Sequence, residues 1–142
     1  MTDTEKLLKE TDAGCKMAVN GIEAVIERAE SEKMQSLLRE SFKTHKKLGD
    51  EIGGLLRMHG DEGKEPNMMA NAMSELKIDW KMMVNNSDHT IANLMMDGCN
   101  MGIQKLSEYI NQYSAAEQKA RDMAEKLIDA EQKFMDDLRV FL

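Results

Sequence analysis

Apolar residues return every three or four positions through four long stretches of this chain, a spacing that describes one buried face of a helix sustained over many turns. Within residues 4–29 the stripe is Leu7, Leu8, Cys15, Ala18, Val19, Ile22, Ile26 and Ala29. A polar break at Glu30-Ser31-Glu32 precedes a second stripe of Met34, Leu37, Leu38, His45, Leu48, Ile52, Leu55 and Leu56. The third runs through Ile91, Met95, Cys99, Gly102, Leu106, Ile110 and Tyr113, and the fourth through Ala120, Met123, Leu127, Ala130, Phe134, Leu138 and Phe141. No stretch alternates with the period of two that a strand requires, and one proline among 142 residues leaves little to interrupt helix. The expected fold is all-α: a four-helix bundle in one domain spanning residues 1–142.

End signals agree with these spans. Gly60 follows the second stripe as a C-cap, with His59 beside it at the negative end of the helix dipole. Ser87 or Asp88 is placed to cap the third helix, and Ser114 with Glu117 reads as a capping box for the fourth.

Between the helix pairs, residues 60–67 hold two glycines and the proline, and residues 68–84 read as a shorter helix. That helix would rise about 25 Å and its flanks would add about 30 Å, enough to carry the chain from one bundle end to the other. Such a crossover makes the second and third helices parallel. With Glu23 and Gln104 set at mid-height, it also places Cys15 and Cys99 about 20 Å apart, too far for a disulfide.

A net charge of −7, with basic residues interleaved among acidic ones, disfavours nucleic acid. There is no apolar run long enough to span a membrane and no signal-peptide pattern at the N-terminus, so the expected compartment is the cytoplasm. Two cysteines without C-x-x-C spacing read as reduced, buried thiols.

Chemistry is concentrated in a broken symmetry. In di-iron bundles a Glu-x-x-His pair sets a carboxylate and an imidazole on one inward face, one turn apart, so that both reach the same metals. Here the second stripe carries Phe42-Lys43-Thr44-His45 and the fourth carries Glu131-Gln132-Lys133-Phe134, each with phenylalanine in place of one member. A weak repeat runs alongside, Asn20-Gly21-Ile22-Glu23 against Met101-Gly102-Ile103-Gln104.

On Asn20-Gly21-Ile22-Glu23, the crossover with Trp80, and Asp97-Gly98-Cys99-Asn100-Met101-Gly102-Ile103, the chain resembles the ferritin-like superfamily, in particular the small bacterial ferritin-like bundles. The resemblance covers about residues 11–142. It implies that the first and third helices would each give a carboxylate and the second and fourth each Glu-x-x-His. Position by position, the chain then keeps Glu23, His45 and Glu131, has Phe42 and Phe134 in ligand places, and shows Gln104 where a carboxylate belongs. Two irons need several anionic ligands, so the implied site is degenerate. Helical phase adds that His45 and Glu131 fall within their stripes, whereas Glu23 falls on a flank and Gln104 points away.

A carboxylate amid Leu127, Ala130 and Phe134 is costly to bury alone, so Glu131 is expected to meet His45, a lysine or a metal or to lie at the rim, a hydrogen bond to His45 across the core being the preferred account. The 14 methionines read as fillers of irregular space in a core with few aromatics, with Cu(I) binding at Met69 and Met73 a third reading. Met68, Met69, Ile78 and Met82, if uncovered, would form an apolar patch of interface size. Trp80 reads as an anchor for the crossover and His89 as a solvated surface residue. The leading expectation is a non-enzymatic interaction protein, with a protein partner or a second copy as a homodimer and no tightly bound cofactor. The alternative is a redox or sequestration protein holding iron, manganese or zinc through Glu23, His45 and Glu131.

Overall fold

Local end chemistry fixes the start of the first helix. Thr2 Oγ1 accepts from the Glu5 backbone N–H at 3.2 Å while the Glu5 carboxylate accepts from the Thr2 N–H at 2.9 Å, a capping box at the head of α1 (Asp3–Val25). This is a computed structural model describing residues 1–60 and 87–142. After α1 a 3-10 turn, Ile26–Arg28, leads into α2 (Glu32–Met58), where Ser31 Oγ accepts from the Met34 N–H at 3.0 Å. α2 closes as its glycine foretells, with Gly60 at a φ of 77°, which a residue with a β-carbon rarely adopts. α3 (Ser87–Gln112) and α4 (Gln118–Leu138) follow, and then a second 3-10 turn, Arg139–Phe141. The described residues contain no strand, and none of their helices is long and apolar enough to cross a membrane.

The buried side chains fall into two clusters that give the helix directions. One gathers Leu7 and Leu8 from the start of α1, Ile52 and Leu56 from the end of α2, Leu106 and Ile110 from the end of α3, and Ala120 and Met123 from the start of α4. The other gathers Ile22 and Val25, Met34 and Leu38, Ile91 and Met95, and Phe134 and Leu138. Hence α1 and α4 run one way and α2 and α3 the other, the up-down-down-up order that a long connection permits. Gly60 and Ser87 stand at opposite ends of the bundle. The crossover helix expected over residues 68–84, with Trp80 and the methionine patch, lies outside the described residues.

α1 packs against all three other helices, whereas α2 and α3 sit across the diagonal. α4 likewise meets all three others, and α1 buries polar residues as well. Thr11 donates its hydroxyl to the Leu7 carbonyl at 2.7 Å, and Asp12 meets Lys16 at 2.9 Å, so neither is buried without a partner.

Two caps differ from their sequence signals, for one reason. Ser114 and Glu117 do not form a capping box; α4 begins after Glu117, whose N–H donates instead to Thr4 Oγ1 at 2.8 Å, while the Ala115 N–H donates to the Asp3 carboxylate at 3.0 Å. Asp88 lies inside α3, and its carboxylate accepts from the Glu30 N–H at 2.7 Å and the Ser31 N–H at 3.1 Å. In both places a neighbouring segment brings donors and acceptors that short-range spacing cannot show.

Candidate functional site

Half-way along the bundle the segments Phe42–His45 and Glu131–Phe134 meet. His45 from α2 and Glu131 from α4 are 1% and 6% exposed, and His45 Nε2 lies 2.6 Å from Glu131 Oε1. On the other side of the ring, Nδ1 lies 2.7 Å from the Ser41 carbonyl, one helical turn earlier, and 3.3 Å from Ser41 Oγ. A carbonyl only accepts, so Nδ1 carries a proton. Burial pulls the His45 pKa down, but the hydrogen bond and charge of Glu131, aided by the Ser41 carbonyl, outweigh it and hold the imidazole above its usual value. When the imidazole is protonated both ring nitrogens donate, Nε2–H to the carboxylate and Nδ1–H to Ser41.

The phenylalanines act as walls. Phe134, one turn beyond Glu131, stands edge-on to the imidazole with ring centres 6.3 Å apart, and Phe42 packs against the same end of the core. A crevice of about 60 Å³ between α2 and α4 touches His45 beside Ser41 and Phe134. On the far side Glu131 borders a larger cleft between α1 and α3, of about 120 Å³.

Of the three residues expected as ligands, the structure brings together His45 and Glu131 but leaves Glu23 exposed on α1. Glu27 and Gln104 are exposed as well. Among the described residues no three His, Cys, Asp or Glu side chains gather where they could hold a metal ion. A di-iron centre does not fit this set: phenylalanines hold two ligand places, and the remaining imidazole has its nitrogens committed to Glu131 and Ser41.

Both thiols also belong to this level of the bundle. Burial raises the pKa of Cys15, with Asp12 and Glu131 adding to it, and burial raises that of Cys99, with the charge and hydrogen bonding of Glu131 adding to it. Glu131 acts on both, and Gly21 of α1 stands opposite Met95 of α3, so the register that set the thiols about 20 Å apart is not the one the helices adopt. The assumed register had set Glu23 against Gln104, both of which are exposed. Both cysteines are free.

Sequence reasoning missed Ser41 and the cleft. Ser41 was legible as the residue four before His45, where a turn of helix brings its carbonyl under the ring. The cleft had a weaker signal, the small residues Gly14, Ala18 and Gly21 on one stripe and Gly98 and Gly102 on another. The chain matches no protein-family model, no curated protein and no solved structure.

Proposed function

We propose that this chain is a ferritin-like bundle in which a histidine–glutamate hydrogen bond takes the place of a metal centre, and that it acts in the cytoplasm by binding a protein partner or a second copy. The observation that carries this reading is the saturation of His45, with Nε2 on Glu131 at 2.6 Å and Nδ1 on the Ser41 carbonyl at 2.7 Å. An imidazolium bonded on both sides has no lone pair to give a metal. The parallel course of α2 and α3 and the split motif across Phe42–His45 and Glu131–Phe134 support the ferritin-like assignment.

Elemental analysis tests it. Untagged protein, purified without chelator and reconstituted anaerobically with Fe(II), Mn(II) or Zn(II), is expected to retain no stoichiometric metal, and neither is the His45→Ala, Glu131→Ala double variant. Near-stoichiometric metal in the parent that disappears in the variant would establish the metalloprotein reading instead. Light scattering or analytical ultracentrifugation of the same samples reads the oligomeric state directly.

A further inference from the structure

The cleft between α1 and α3 is made by what the two helices lack. Gly14 and Gly21 on α1 and Gly98 and Gly102 on α3 present no side chains there, and a cavity of about 120 Å³ results. Cavities of about 150 Å³ with comparable apolar walls take up molecules the size of benzene. Its floor is α4, where Leu127 and Phe134 flank one polar residue, Glu131. That carboxylate is more than nine-tenths buried, with a side-chain exposure of 8%. One oxygen, Oε1, is committed to His45, whereas Oε2 is turned to Gly102, 3.8 Å from where a β-carbon would stand. A carboxylate oxygen can accept two hydrogen bonds, and the neighbouring Cys99 thiol is a weak donor, so Oε2 retains acceptor capacity towards the cleft.

We propose that the α1–α3 cleft binds a compact apolar molecule of single-ring size bearing one neutral hydroxyl donor, a phenol or cyclic alcohol, whose O–H bonds to Glu131 Oε2. The apolar body would lie between the glycine faces of the two helices and rest on Leu127 and Phe134. A single hydroxyl donor suits the site because Glu131 already has a partner in His45 through Oε1 and offers only Oε2 to the cleft. Gly102 is what makes the contact available, since any side chain there would stand between the ligand and the acceptor. This goes beyond the binding role proposed above, because it uses the face of Glu131 that the histidine leaves uncovered.

The test is a titration of the full-length ¹⁵N-labelled protein with phenol and, separately, with toluene, which has the same size and no donor. Phenol is expected to bind saturably in the millimolar range or tighter, shifting the amides of Gly98, Gly102 and Gly21. Toluene is expected to bind about tenfold more weakly, the equivalent of one hydrogen bond. Gly102→Ala should fold normally, since its β-carbon makes only an ordinary contact and alanine favours helix, and it should abolish the preference for phenol over toluene. Absence of saturable phenol binding, shifts confined to other surfaces, equal affinities for the two probes, or a preference that survives in Gly102→Ala would each overturn the proposal.

Discussion

Glu131 Oε1 sits 2.6 Å from His45 Nε2, and through this contact two buried polar side chains from different helices satisfy one another. Neither partner is dispensable alone. His45→Ala would leave a carboxylate buried without its donor, and Glu131→Ala would leave a buried imidazole without its acceptor; each is expected to cost about 3–5 kcal/mol. The double change His45→Leu, Glu131→Met replaces the pair with apolar volume and is expected to be more stable than either single variant. Urea unfolding of the four proteins checks this, and a double variant no more stable than either single variant would show that the two residues do not act as a pair.

The pair also sets a pH dependence whose sign follows from the histidine. The folded His45 pKa is raised above its unfolded value of about 6.5, so its contribution is fully present below that value and is lost as pH rises through the folded pKa. The stability difference between the native protein and the His45→Leu, Glu131→Met variant should therefore move in favour of the variant as pH rises above about 6.5. NMR titration of the His45 ring gives an independent check. A midpoint at or below about 6.5 would contradict the assignment.

Asp88 ties the start of α3 to the turn between α1 and α2 through two backbone N–H groups, those of Glu30 and Ser31. Asp88→Ala is expected to cost about 1–3 kcal/mol, the range for hydrogen bonds to a charged acceptor. Hydrogen exchange should quicken at Glu30 and Ser31 while the amides of the opposite bundle end keep their protection. Uniform loss of protection would show that the contact is not local.

Cys15 and Cys99 are buried, and their thiols are held protonated by that burial and by nearby carboxylates. The thiolate is the reactive form, so both should react with a thiol reagent at pH 8 far more slowly in native protein than in urea. Mass spectrometry after timed labelling reads each site separately. Rapid native labelling of either cysteine would mean that this region opens readily.

The legible part of the molecule is the part governed by short-range physics. Helix spacing repeats every 3.6 residues, so the stripes through Leu38, His45 and Ile52 and through Leu127, Glu131 and Phe134 declared both the helices and their inward residues. Gly60 declared the end of α2 because only its neighbours decide whether a positive φ is required. His45 and Glu131 could be paired on paper for a similar reason: an ionisable residue within an apolar stripe needs a partner, and each stripe offered one.

Which helices meet, and at what height, was decided by tertiary structure alone. Glu23 looked like a ligand by its place in a short repeat, yet the rotation of α1 that lets it pack on three helices turns Gly21 towards α3 and leaves Glu23 exposed. Ser114 had the sequence of a cap, but Thr4 and Asp3, more than a hundred residues away, reached the same donors first. The cleft beside Glu131 likewise belongs to no segment, since residues of α1, α3 and α4 line it together. Periodicity specifies a helix and its buried face; rotation and register follow from packing all the faces at once, and they decide where the polar atoms come together.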